Sequence, residues 1–182
     1  MKTVRLSEEE RTRLSGFKTP KRSLQWMATR CLLQSIEPDS SSLIVYNHLG
    51  KPHLANDNRL ISLSHSDRYA AVQLCHSGYC GVDIQQREER MTRLADKFLH
   101  REEYDFINNE HRLLYLNLIW TMKEAIFKHF GSGLAFGAQI LIHPFDIMLY
   151  TEVFATVLHS GKEHIMALRW HEIGNCYLAY LC

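Results

Sequence analysis

Residues 110–130 constrain this chain most. Their apolar spacing predicts one long amphipathic helix, stopped by Gly131 in the C′ position. Within it, Trp120-Thr121-Met122-Lys123-Glu124-Ala125-Ile126-Phe127-Lys128 sets Glu124 and Lys128 one turn apart on one face. Upstream, Gly81-Val82-Asp83-Ile84 ends an apolar, strand-like run on a single carboxylate, 41 residues before Glu124. Two carboxylates held by rigid elements are a natural site for a hard cation such as Mg²⁺, which takes one or two carboxylates, several waters and substrate phosphates. Lys128 can meet a phosphate at the same place, so the set suggests phosphoryl or phosphodiester chemistry. Plainer readings stand beside this one. Asp83 is also a turn residue capping the next helix, and Glu124 a solvated partner of Lys128.

At 182 residues the chain fits one domain, or two small lobes sharing a core. A composition of 46% hydrophobic and 23% charged residues is that of a globular protein, not a disordered one. The net charge of +1 makes no general case for nucleic acid or an anionic membrane, so an acidic partner needs a local basic patch. Cys31, Cys75, Cys80, Cys176 and Cys182 form no Cys-x-x-Cys motif and are odd in number, which favours reduced thiols in a cytoplasm. The first ten residues hold no apolar stretch of the signal-peptide kind. No run approaches the roughly 20 apolar residues of a membrane helix. The 11 histidines include no His-x-x-x-His pair beside a carboxylate, against a zinc site, and no Gly-x-Ser-x-Gly or Walker sequence is present.

Along the chain, Ser7-Glu8-Glu9-Glu10 reads as a capping box, with Ser7 as N-cap and Glu10 at N3. A second helix is expected from Pro20 to about Ile36, ended by Pro38 and Ser40-Ser41-Ser42. Strand signals follow at 43–46 and 60–64, around a turn at Gly50-Lys51-Pro52. A hairpin is expected between 69–75 and 79–84, turning at Ser77-Gly78. Two short helices at 91–99 and 101–109 precede the long one. Three β-rich runs (about 147–158, 164–171 and 176–181) close the chain, with Ser160-Gly161 as a hairpin turn. This order is an α+β pattern.

Taken together, Gly-Val-Asp and Trp-Thr-Met-Lys-Glu-Ala-x-x-Lys resemble the paired signature of the 4'-phosphopantetheinyl transferases. Tyr46, Gly50-Lys51-Pro52, Ile61-Ser62-Leu63-Ser64-His65-Ser66 and the stretch Arg22–Leu33 resemble upstream segments of the larger, surfactin-synthetase-activator-type branch. The resemblance runs over roughly 18–135. It implies two similar α/β lobes related by a pseudo-twofold, with the active site in the cleft between them. Residues 1–76 would be the coenzyme A-binding lobe, and 77–182 the lobe with the metal site and carrier docking. The strand that precedes the first helix in many larger members is not recognisable here, which would leave a possible exposed sheet edge.

The implied activity is holo-[acyl-carrier-protein] synthase: transfer of 4'-phosphopantetheine from coenzyme A to a serine of an acidic acyl or peptidyl carrier protein. It would depend on Mg²⁺ and release 3',5'-ADP. A cytoplasmic monomer is expected, with no nucleic-acid or membrane partner. The competing reading is a non-catalytic carrier-protein or coenzyme A binding module that keeps the fold.

Residue by residue, the resemblance makes Asp83 and Glu124 metal ligands. Gln85, where the larger branch usually has an acid, becomes a weaker oxygen ligand or a solvent-facing residue. Glu124 or Glu103 would take the serine proton, Glu102 competing with Glu103 by one position, and Lys128 would stabilise the leaving side. Coenzyme A contacts are implied for Lys21, Arg22, Lys51, Pro52, Ser64, His65, Lys123 and Lys128, with Lys18 and Arg30 as further phosphate candidates. Arg87, Arg90 and Lys97, close together on a helical wheel, are either a solvated face or a docking stripe for the carrier.

Overall fold

The computed structural model describes residues 4–38 and 43–182. The expected Ser40-Ser41-Ser42 helix stop lies outside the described residues. Helix α1 (Glu8–Ser15) opens on the capping box: Ser7 accepts from the Glu10 N–H while Glu10 accepts from the Ser7 N–H. Helix α2 (Pro20–Ile36) has Thr19 as N-cap and Pro20 in its first turn, where a missing N–H costs nothing. Strands β1 (Ile44–Tyr46) and β2 (Pro52–Leu54) pair antiparallel, as do β3 (Leu60–His65) and β4 (Ala70–Cys75).

Strand β5 (Val82–Gln86) begins the second half. After it come α3 (Met91–Phe98), a 3-10 turn at Arg101–Asp105, α4 (Arg112–Phe130), the short α5 (Phe136–Gln139) and β6 (Ile140–Ile142). The chain closes with β7 (Glu152–His159), β8 (Lys162–Ile173) and β9 (Cys176–Leu181). These form a five-stranded antiparallel sheet in the order β5-β9-β8-β7-β6, with Asp83 opposite Ala179 and Gln85 opposite Tyr177.

Three expectations are corrected here. The stretches 69–75 and 79–84 are not a hairpin: β4 pairs with β3, and β5 pairs with the distant β9. The expected helix over 101–109 is only a 3-10 turn. Helix α4 is less amphipathic than expected. It lies across β5 and β9, and Tyr115–Ile119 and Thr121–Lys123 are buried without a break except at Trp120. A helix apolar nearly all round is a core helix. Leu116, Leu118, Ile119, Met122 and Ile126 are fully buried in the main core, each contributing about 2 kcal/mol of burial. Gly131 ends the helix at φ 85°, in the left-handed region that glycine enters at little cost.

Candidate active site

Asp83 is the second residue of β5 and is buried. On one side β5 is laddered to β9. On the other its N–H groups meet side chains instead of a strand: Val82 N–H donates to Ser62 Oγ (3.0 Å) and Ile84 N–H to Ser64 Oγ (3.1 Å). Asp83 Oδ1 accepts from Ser64 Oγ at 2.7 Å and from Lys128 Nζ at 2.7 Å. Asp83 Oδ2 is buried and has no hydrogen-bond partner among the described residues. Lys128 also donates to the Val82 carbonyl at 3.0 Å. Of an ammonium's three donors, one remains for the cleft that Lys128 lines.

Glu124, half-buried on the facing side of α4, has its carboxyl pushed up to about 7. Burial is the larger cause and the charge of Asp83 the second, with Lys128 opposing both. A Glu124 carboxyl whose charge is disfavoured by burial and by Asp83, beside an orphaned buried oxygen of Asp83, fits a hard divalent cation, which would relieve both. Among the described residues no three His, Cys, Asp or Glu side chains gather as metal ligands. Such a cation would therefore complete its shell from water and substrate. Gln85 is partly exposed on the same strand face as Asp83.

Beyond Lys128 opens a cleft of about 320 Å³, whose walls include Arg22, Trp26, Lys51, Pro52, His65 and Phe127. Arg22 donates to His65 Nε2. Burial first, then the charges of Arg22 and Lys128, lower the His65 pKa and keep the ring neutral enough to accept. Lys51 donates to the His129 carbonyl in the last turn of α4, and burial lowers its pKa. The indole N–H of Trp26 is buried in this region without a hydrogen-bond partner among the described residues. The structure thus brings Asp83, Glu124, Lys128, His65, Arg22, Lys51 and Pro52 together.

Other candidates lie elsewhere. Lys123 is fully buried and donates to Glu103 Oε2 (2.8 Å) and to the carbonyls of Phe98 (2.8 Å), Phe136 (3.1 Å) and Ile140 (2.8 Å). Glu103, equally buried, accepts from the N–H groups of Ile142 (2.7 Å) and His100 (2.8 Å). Burial lowers the Lys123 pKa to about 8 and raises that of Glu103, each partner's charge opposing the shift. This pair is sealed in the core, apart from the cleft beside which a phosphate role for Lys123 and a base role for Glu103 were expected. Glu102 is exposed on the same turn, its N–H donating to His100 Nδ1 (3.3 Å).

Ser64 is not among the residues that line the cleft. Its hydroxyl proton is directed to Asp83, and the side chain is buried. Lys21 is exposed and paired with Asp67, outside the cleft walls. Arg30 does reach the cleft wall but is locked: it donates to Glu10 (3.2 Å), Thr29 (3.0 Å) and Tyr46 (2.9 Å) and stacks on Trp26. Lys18 is exposed. Arg87 and Arg90 precede α3, so the wheel placing them beside Lys97 does not apply, and Arg90 pairs with Glu88. Two residues escaped sequence reading. Ser62 was signalled only by polar alternation in Ile61-Ser62-Leu63-Ser64. Asn117, buried in α4, clamps Glu88 by accepting from its N–H (2.9 Å) and donating to its carbonyl (3.2 Å).

With this geometry in hand, comparison with known proteins places the chain. It is 25% identical over 159 residues to a putative 4'-phosphopantetheinyl transferase of Synechocystis sp., covering 80% of this chain and 65% of that protein. It is 29% identical over 146 residues to the 4'-phosphopantetheinyl transferase HetI of Nostoc sp., covering 71% and 61%. To the 4'-phosphopantetheinyl transferase AcpT of Escherichia coli strain K12 it is 32% identical over 116 residues, covering 60% and 58%. The chain thus spans less than two thirds of the length of these relatives. The family model for the 4'-phosphopantetheinyl transferase superfamily matches residues 79–172, more than half of the chain and both carboxylates of the site, and the chain belongs to that superfamily.

Proposed function

We propose that this chain transfers 4'-phosphopantetheine from coenzyme A to a serine of an acyl or peptidyl carrier protein, as a surfactin-activator-type member of its superfamily. The observation that carries the reading is Lys128. It is bonded to Asp83, lies one turn from Glu124 on the same helix, and still lines a cleft edged with cationic groups. Similarity reaching into the first half of the chain, upstream of the family-model match, supports the branch. In this reading residues 1–76 are the coenzyme A lobe and 77–182 the metal and carrier lobe. No described helix is long and apolar enough to cross a membrane.

Arg22, Lys51 and His65 would seat the phosphates of coenzyme A. Asp83 and Glu124, with Gln85 as a weaker oxygen, would hold the Mg²⁺. When bound, that ion makes the β-phosphorus more electrophilic. The carrier serine oxygen forms the new P–O bond and the bond to 3',5'-ADP breaks. With Glu103 sealed away, Glu124 is the carboxyl left to receive the serine proton. The free N–H of Lys128 stabilises the departing phosphate. Incubating the protein with apo carriers, coenzyme A and Mg²⁺, followed by mass spectrometry, tests this directly. A gain of one phosphopantetheine on a carrier serine is the expected result. Tight coenzyme A or carrier binding with no gain on any carrier would leave a binding module.

A further inference from the structure

We propose that Ser64 is a positioning residue for Asp83 and not a contact for coenzyme A. This rests on the metal-site reading above. The hydroxyl of Ser64 has one proton, and the structure gives it to Asp83 Oδ1 at 2.7 Å. One of its lone pairs accepts the Ile84 N–H at 3.1 Å, and the residue is only 6% exposed. Nothing remains to donate to a phosphate in the cleft.

The neighbouring serine separates the two halves of this arrangement. Ser62 Oγ accepts the Val82 N–H at 3.0 Å, the same kind of bond to the same strand, yet donates to no carboxylate among the described residues. β3 and β5 share no strand ladder, since β3 is paired to β4 and β5 to β9. The two hydroxyls take the ladder's place. Ser62 performs only the strand-holding half, whereas Ser64 also fixes the Asp83 carboxylate. With Oδ1 gripped by Ser64 on one side and Lys128 on the other, the carboxylate plane is set and Oδ2 alone is presented, buried and unpartnered. Lys128 by itself is a flexible stem that can follow a turning carboxylate. Ser64, on a paired strand, cannot. Groups that orient a metal ligand in this way are commonly worth about 10–100-fold in metal affinity.

The test uses the full chain and two readouts besides turnover: Mn²⁺ binding by loss of the free-ion EPR signal, and coenzyme A binding by calorimetry in chelator. Ser64→Ala should weaken Mn²⁺ binding about tenfold or more while coenzyme A affinity stays within about twofold. Ser62→Ala should move Mn²⁺ affinity by less than about threefold, and Ser64→Thr, which keeps the hydroxyl, should restore it. Should Ser64→Ala not fold, Ser64→Cys gives the same comparison, because a thiol is near in size but a weak donor. An Mn²⁺ affinity unchanged in Ser64→Ala, or lowered equally in Ser62→Ala, overturns the inference while the metal site stands. Weaker coenzyme A binding with unchanged Mn²⁺ affinity returns Ser64 to the cleft. Wild-type protein that binds no Mn²⁺ overturns the metal reading, and this inference with it.

Discussion

A β-carbon added to Gly81 would lie 2.1 Å from the carbonyl oxygen of Ala125. The start of β5 and the middle of α4 therefore meet backbone to backbone, two residues before Asp83 and one after Glu124. This approach is what lets Lys128 reach the Val82 carbonyl and Asp83 together. Because the opposing atom is backbone, it cannot swing aside. Gly81→Ala should lower unfolding free energy by about 3 kcal/mol, read from urea titrations. If Mg²⁺ binds at the proposed site and raises the Tm of the wild type, the variant should lose that rise. An unchanged midpoint would mean the two elements separate without loss.

The buried Lys123–Glu103 pair predicts the opposite pattern of losses. Glu103→Gln leaves an ammonium in the core without its counter-charge, at about 3 kcal/mol of stability. Turnover by the fraction that stays folded should fall by less than the roughly hundredfold that removing a general base costs. Urea denaturation beside steady-state rates at low temperature checks both. A stable variant with no turnover would restore Glu103 as the base.

The difference between Lys123 and Lys128 also shows what could be read in advance. Helix limits were legible because their signals are local: Ser7 with Glu10, Pro20, and Gly131. Asp83, Glu124 and Lys128 were legible as a spaced motif. Strand partners were not, because Ser77-Gly78 looks like a hairpin turn while the choice of β9 for β5 depends on residues far along the chain. Two lysines on one helix differ only in phase. Which phase faces the core depends on α3, α5, β6 and the 3-10 turn, whose Phe98, Phe136 and Ile140 carbonyls and Glu103 carboxylate surround Lys123. Ser64 sits where family resemblance expects a phosphate contact, and only the position of Asp83 turns its proton inward.

Stability should fall in mild acid through His129. Burial, and next the charge of Lys51, hold its pKa down to about 4 against an ordinary 6.5, while its Nδ1 accepts the Cys80 N–H at 3.2 Å. Between those values the unfolded chain binds the proton and the folded chain resists it. The contribution is therefore complete above pH 6.5 and lost as pH falls towards 4. His129→Asn keeps an acceptor but does not titrate. The Tm advantage of wild type over this variant should shrink across that window in a pH series, and a constant difference would rule His129 out.

If a carrier docks by charge, Arg87 and Arg90 are the better-placed pair, since Asn117 ties the intervening Glu88 to α4 about two turns before Glu124. Reversing both charges should raise KM for the carrier several-fold, leave KM for coenzyme A in place, and flatten the salt dependence of the carrier reaction. Reversing Lys97, which lies on α3 itself, should do less. Carrier kinetics at two ionic strengths decide it. Equal carrier KM values for all variants would make the loop a solvated surface.

Gln85 leaves the site one carboxylate short of a three-acid arrangement. It shares the strand face of Asp83, two residues on, and is partly exposed while Asp83 is buried. Gln85→Glu supplies a charged oxygen in place of a neutral one without altering the bonds of Asp83 Oδ1 to Ser64 and Lys128. Hard cations gain affinity with the charge of their ligands, so the Mg²⁺ concentration for half-maximal rate should drop. The maximal rate should change less, because Lys128 and the phosphate-seating residues are untouched. A third carboxylate also adds repulsion when no ion is bound, so the metal-free variant should melt lower than wild type and recover on adding Mg²⁺. Rate and thermal titrations with Mg²⁺ give both quantities. Superimposable curves for the two proteins would mean that position 85 faces solvent and takes no part in holding the ion.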